Sequence, residues 1–438
     1  MKNFILIIST LTTLTLSAGA QVAPTNSFDV EGIKVIFKPT VKQIIHVSIY
    51  FRGGVGNYPA KKAGIEDLAL RGTLDCGTGK FAMGVFKSKA EEIGAQLNGG
   101  AGLDNGSISL NCVAKYFDAG WDLLAAAVTT PVYEESAFGI MKQKQIGRLQ
   151  ESDGNPDIKL RRLAMASSFW GTIYATNPGG TVTTLPELSA EEVKNYYFNT
   201  LLNKARMFIV VVGNVTKEEL TAKIKAAFQS LPAGAYTPGS FPATTFGTAP
   251  AAVEERAIST NYILGIMNAP AYNSPDYVPF MLSFSELHGL LFTEIRIRRH
   301  LSYAPDATLH AMLLPYSEIY VSTTDPKASV EVMEDCVRFM KRGNNNLKNR
   351  DLNQIKALYI TGSYKRQQST DALAEMLGQA ETLGGWEIAE HLPDLIQHTS
   401  RAEMSAAFSK YIAGISWTYL GDKSKADEAM DAFKRPVN

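Results

Sequence analysis

The chain reads as one pattern written twice, and that repeat limits what it can fold into. Met207 to Val215 is an apolar, β-branched run ending in a Gly-Asn turn, and Ser416 to Asp422 repeats that strand-then-glycine form. The helical stretch Glu191 to Leu202 precedes the first, and Ala402 to Ile412 precedes the second. Likewise Met141 to Ser152 pairs with Leu352 to Tyr364, and Val47 to Arg52 with Tyr262 to Met267. All four offsets are about 210 residues, the constancy that an internal duplication leaves. The 438 residues are too many for one core, so two similar domains are expected.

Within each half, strands and helices alternate irregularly. Val35 to Phe37 and Ile44 to Phe51 are β-branched and aromatic, as strands prefer. Ile65 to Leu74, Val85 to Ile93 and Phe117 to Val128 carry helical spacing of apolar residues, while Ile108 to Val113 alternates as a half-buried strand does. The regular β-α-β order of a doubly wound sheet is missing. The expected class is therefore α+β: two homologous domains, each a mainly antiparallel sheet with helices packed on one face. Leu231 to Ala252 is rich in Pro, Gly, Thr and Ala without helical period, and reads as the linker. The expected division is residues 1–20 as leader, 21–230 as first domain, 231–252 as linker and 253–438 as second domain.

The leader is read from Lys2, the apolar run Phe4 to Leu16 and Ala18-Gly19-Ala20, a secretory pattern with cleavage between Ala20 and Gln21. It predicts an exported protein, periplasmic or extracellular. The apolar run falls short of the ~20 residues that span a bilayer, and no later segment is apolar enough, so the mature chain is expected to have no transmembrane segment. Lys plus Arg equals Asp plus Glu at 43 each, which gives no footing for nucleic-acid binding. The three cysteines, Cys76, Cys112 and Cys336, form no Cys-x-x-Cys pair and read as buried free thiols. A Cys76–Cys112 bridge is conceivable from the sequence but not favoured.

Several segments, in order, resemble a known family. Tyr58 to Gly64, then Gly77-Thr78, look like the approach to and exit from the active-site helix of the pitrilysin-like, or insulinase-like, zinc peptidases. Ile93-Gly94-Ala95-Gln96-Leu97-Asn98 resembles the family's I-G-A-x-L-N, which leads into the edge strand that receives substrate. Val193 to Val215 resembles the helix and strand that close the first domain. The likeness covers nearly all of the mature chain and is closest to the processing-peptidase class.

Catalytic members carry H-x-x-E-H on the active-site helix, because two imidazoles one turn apart hold zinc and a carboxylate deprotonates its water. Between Gly64 and Thr78 there is no histidine; the helix offers Glu66, Asp67, Arg71 and Asp75. The later helix that supplies the third ligand, Ala137 to Glu151, has Gln145, Gly147 and Arg148 at its centre, and Glu151 lies close to the turn at Asp153 to Pro156. The six histidines, His46, His288, His300, His310, His391 and His398, include no pair three or four apart. No metal site is expected on this chain. No Walker loop, G-x-G-x-x-G or Gly-x-Ser-x-Gly is present, and Asn98 to Gly102 reads as a flexible loop.

Leu291 to Tyr303 resembles the family's second-domain motif L-F-x-E-L-R-x-x-x-G-L-x-Y, with His300 in place of its small residue. The resemblance implies that Arg296 and Tyr303 face a zinc site across the chamber, holding the substrate backbone and stabilising the developing oxyanion. In sequence, Arg296 and Arg299 would share one helical face. The resemblance also implies peptide capture beside Asn98 and Gly99 at the sheet edge. The leading expectation is a non-catalytic, substrate-binding subunit of an exported heteromeric zinc peptidase. It would carry no cofactor of its own, take a peptide substrate, and complete a zinc site on an H-x-x-E-H-bearing homologous partner. The alternative is a peptide-binding or structural assembly protein with no proteolytic role.

Overall fold

The computed structural model describes residues 24–437 apart from 240, 242–243, 248–249 and 344–348; the leader lies outside the described residues. The first half forms a six-stranded sheet, β1 (Asn26–Val30), β2 (Ile33–Pro39), β3 (Ile44–Arg52), β4 (Gln96–Ala101), β5 (Asn105–Val113) and β6 (Met207–Gly213), in the order β1-β2-β6-β3-β5-β4. The second half forms a five-stranded sheet, β7 (Ala252–Glu255), β8 (Asn261–Asn268), β9 (Asp306–His310), β10 (Tyr316–Thr323) and β11 (Ser416–Gly421), in the order β7-β11-β8-β10-β9. Drop β1 and the two orders coincide strand for strand. In each, the last strand of the half runs parallel to the first common strand (β6 to β2, β11 to β7), and the other pairings are antiparallel. The protein is α+β with two mixed, mostly antiparallel sheets.

The helices repeat too. The first half carries α1 (Ile65–Asp75), α2 (Met83–Glu92), α3 (Phe117–Thr129), α4 (Glu135–Gly154), α5 (Pro156–Ser168), α6 (Ala190–Tyr196) and α7 (Lys217–Phe228). The second carries α8 (Tyr277–Leu291), α9 (Pro326–Lys341), α10 (Asn349–Arg366), α11 (Thr370–Leu383), α12 (Glu387–His398), α13 (Arg401–Tyr411) and α14 (Lys423–Phe433). Every pair singled out by the repeat occupies matching places: β3 with β8, α4 with α10, α6 with α13, β6 with β11. One face of each sheet packs against helices of its own half. Val47, Ile49 and Val211 meet Leu68, Leu124 and Ile224, while Ile263, Ile319 and Trp417 meet Phe284, Val337 and Phe433.

The opposite faces hold what periodicity alone did not reveal. The strands of the first sheet are apolar on both sides, and Ile36, Tyr50, Phe208, Val210 and Val212 pack against Leu373, Ala374 and Leu377 of α11, a helix of the second half. Tyr50 stacks flat on Phe208 at 4.8 Å, with the Arg52 guanidinium over the Phe208 ring. The buried Glu381 carboxylate accepts from both Lys34 and Arg52 at 2.8 Å. The exchange is reciprocal. Helix α5 of the first half lies on β8 and β11 of the second. Phe169 just beyond it makes edge contacts at 5.3 Å with Phe246 and Tyr316, and the Tyr320 hydroxyl donates to Asp157.

The segment between the halves is irregular but not loose. Phe246 is buried, Thr244 accepts through its carbonyl from Asn268, and the Gly247 N–H donates to Ser416. Cys76, Cys112 and Cys336 are buried free thiols, each with its pKa pushed up by burial.

At the crossing of α11 over the first sheet, a Cβ on Gly378 would stand 2.2 Å from the Tyr50 ring. Gly378→Val is therefore expected to push α11 off Tyr50 and lower unfolding stability by about 1–3 kcal/mol, the usual cost of overpacking. Chemical denaturation with a fluorescence readout measures this. A change within error would show that the two halves are not clamped there.

Candidate functional site

Helix α1 runs against β4, and three glycines permit the approach. A Cβ on Gly99 would lie 2.7 Å from the Leu70 carbonyl oxygen, one on Gly100 would lie 3.1 Å from Asp67 Oδ1, and one on Gly106 would lie 2.2 Å from Leu70 Cδ1. This corrects the expected flexible loop: Gln96–Ala101 is a strand, paired to β5 with Asn98 opposite Ser109. The glycines serve close packing, not freedom of turn. Among the described residues, the far side of β4 pairs with no strand, so β4 is an open sheet edge.

The carboxylates on α1 are already committed. Asp67 is 3% exposed; its Oδ1 accepts the Ala101 N–H at 3.1 Å and its Oδ2 accepts Arg71 Nε at 2.8 Å. Glu66 is fully buried, and its Oε2 accepts from Tyr196 Oη at 2.6 Å and Asn57 Nδ2 at 2.9 Å, while Oε1 has no partner. Burial raises its carboxyl from 4.5 to about 7, against the opposing pull of those two hydrogen bonds and of Arg206. On α4, the buried Gln145 donates from Nε2 to the Gly179 carbonyl at 3.2 Å. Among the described residues, no group of three or more His, Cys, Asp or Glu side chains is placed to hold a metal ion. His46 is buried, kept neutral by desolvation that lowers it to about 4, and shares a hydrogen bond with Ser48.

Arg296 and Tyr303 do come together. Residues Phe292–Arg298 continue α8 as a π-helical stretch. The wider turn replaces the expected shared face of Arg296 and Arg299. Arg298 and Arg299 both close on the Glu294 carboxylate, leaving Arg296 to donate from Nη1 to the Tyr303 carbonyl at 2.9 Å. The Arg296 guanidinium also lies over the Phe292 and Tyr303 rings, at 5.0 and 5.7 Å. Tyr303 is 86% exposed and its hydroxyl has no hydrogen bond among the described residues, so the phenol can meet something outside the chain. His300 closes the segment at φ 55, in the left-handed region that a small residue adopts more easily. The recorded bonds and ring contacts of Arg296 stay within 292–303 and reach neither Asn98 nor Gly99.

A second feature of this surface was missed from sequence. Ile140, Lys144 and Arg148 stand four apart along α4 and line a cavity of about 320 Å³ facing Arg71 and Asp75 of α1 and Met83 and Lys87 of α2. Their spacing is visible in the sequence, but the wall that faces them comes from α1 and α2.

These features define an α+β protein of two similar halves in which α1 and α4 contribute to no metal-ligand cluster among the described residues. Residues 187–359 match the family described as the peptidase M16 inactive domain. A curated relative, subunit 1 of the mitochondrial cytochrome b-c1 complex of Caenorhabditis elegans, is 24% identical over 182 residues; the match spans 42% of this chain and 38% of the relative. The fold is similar to a peptidase M16 inactive domain from Pseudomonas fluorescens (TM-score 0.81, 18% identity, 92% of this chain and 99% of that one). It is similar also to the periplasmic protease PqqL of Escherichia coli (TM-score 0.76, 14% identity, 97% of this chain but 49% of that one). A chain of complex III2 from Candida albicans shares the fold at TM-score 0.79 and 13% identity, over 93% of this chain and 99% of that one. No helix among the described residues is long and apolar enough to cross a membrane.

The buried Glu66 gives a pH signature. Its folded pKa is raised, so the stability it contributes is full below about pH 4.5 and is lost as pH rises through about 7. Glu334, whose carboxyl burial also raises to about 7, adds to the same window. Glu66→Gln is expected to flatten part of that fall and to gain on the wild type above pH 7, by roughly 3 kcal/mol at most for a shift of this size. Urea titrations across pH 4 to 8 measure it, and parallel pH profiles would contradict it.

Proposed function

We propose that this chain is the non-catalytic, substrate-binding subunit of an exported heteromeric zinc peptidase. Its partner is a homologous subunit bearing H-x-x-E-H and the zinc; this chain supplies Arg296 and Tyr303. The observation that carries the reading is the contrast between the two sites. On the helices that hold zinc in catalytic relatives, Glu66, Asp67 and Gln145 are buried and hydrogen-bonded inside the fold, while Arg296 and Tyr303 stand exposed beside each other. Preserved donors without a metal make sense when the metal lies on another chain.

The match to the PqqL protease covers 49% of that chain, a proportion that fits one of two similar units in a peptidase chamber. Export is proposed from the leader pattern of residues 1–20. The peptide would be held along β4 beside Asn98 and Gly99, where an open strand edge offers backbone hydrogen bonds. In the transition state a guanidinium supplies fixed donors to a carbonyl, and a phenol donates as negative charge develops.

A second reading has its own support. The cytochrome b-c1 complex subunit and the complex III2 chain are parts of assemblies, which favours a structural or peptide-binding protein with no proteolytic role. One experiment separates the two. With a zinc-bearing partner, Arg296→Ala and Tyr303→Phe are each expected to lower cleavage of a reporter peptide by on the order of a hundredfold, without changing assembly. Full turnover in a complex that assembles normally would select the structural reading.

A further inference from the structure

We infer that the groove between α1, α2 and α4 is an anchor for the acidic part of an extended peptide. The inference rests on the peptide-holding role of β4 and names the kind of peptide.

The walls are mixed. Ile140 and Met83 are 58% and 39% exposed and offer apolar contact, while Arg71, Lys87, Lys144 and Arg148 supply four cations. Two of these are answered within the fold: Lys87 pairs with Asp75 at 3.1 Å and Arg71 with Asp67 at 2.8 Å. The other two are not. Lys144 and Arg148 are exposed, lie one turn apart on α4, and have no ion-pair partner among the described residues. Like charges at that spacing repel on an isolated helix. A carboxylate between them removes the repulsion and takes charge-assisted hydrogen bonds from both, so the groove selects an anionic occupant.

Geometry selects an extended one. From Ile140 to Arg148 the α4 wall runs about 12 Å at the helical rise, the reach of roughly four residues in a strand. The groove is also continuous with the sheet edge. Asp75 and Lys87 line both it and a neighbouring cavity of about 350 Å³ bounded by Leu74, Phe86 and the β4 residues Gln96, Leu97 and Asn98. The shared lining gives a peptide paired to β4 near Asn98 a continuous path, past Glu91, into the groove. Its residues there meet a surface whose two unneutralised charges are both positive.

The test uses the full chain and three labelled peptides, alike except for a central run of Glu, Gln or Lys, read by fluorescence anisotropy. The Glu peptide is expected to bind about tenfold tighter than the Gln peptide, with the Lys peptide weakest and the advantage shrinking as salt is added. The double variant Lys144→Gln with Arg148→Gln, at exposed helical positions, is expected to bring the Glu peptide to the affinity of the Gln peptide and leave the Gln peptide unchanged. Equal binding of the Glu and Gln peptides by the wild type would overturn the inference and leave peptide capture at β4 standing. So would a Glu preference that survives the double variant. Binding of none of the three would overturn the inference and the β4 reading together.

Discussion

Neither sheet is covered by its own half alone, and the rest of the molecule follows from that. The central strands of the first sheet are apolar on both faces, and one half supplies helices for only one. The second face is closed by α11 from the other half, as α5 closes the second face of the other sheet. Burying such faces is the dominant favourable term in folding. The two halves therefore form one body, tied further by Lys34 and Arg52 on Glu381. With both faces closed over their centres, what is left for recognition is the rim: the β4 edge, the groove beside α1, and the exposed end of α8.

The same economy shapes α1 and α4. A carboxylate buried without partners is costly, so Asp67 holds the β4 backbone and Arg71, and Glu66 is kept by Tyr196 and Asn57. Gln145 is tied to the Gly179 carbonyl. Holding a metal here would take more than placing histidines on α1, because Asp67, Gln145 and Glu66 Oε2 are already bonded within the fold. Across the molecule, Glu294 gathers Arg298 and Arg299, and Arg296 has no ion-pair partner among the described residues. Glu66, Asp67 and Gln145 are turned inward; Arg296 and Tyr303 are turned out.

Much of this was legible in the chain and some was not, for physical reasons. Strand β5 and helices α1 and α3 follow from side-chain period, and β3 follows from its β-branched and aromatic run, which is buried on both faces. The repeat was legible because both halves solve the same packing problem. Strand β4 was not: Gly99 and Gly100 read as loop residues, and only the position of α1 shows that they allow contact. The exchange of α5 and α11 was not, since an apolar face does not name what will cover it. Nor was the π-helical turn at Phe292–Arg298, where the motif gave the residues but not the pitch that separates Arg296 from Arg299. The groove was partly visible as the spacing of Ile140, Lys144 and Arg148, but its opposite wall comes from helices distant in sequence.

The central claim is that the chemistry needs two chains, with zinc on the other one. The most direct measurement is metal content and peptide cleavage of this chain alone, of the H-x-x-E-H partner alone, and of the purified pair. The account predicts no tightly held zinc and no cleavage for this chain, and cleavage only by the pair, with its zinc accounted for by the partner. Zinc held by this chain together with cleavage by it alone would contradict the account.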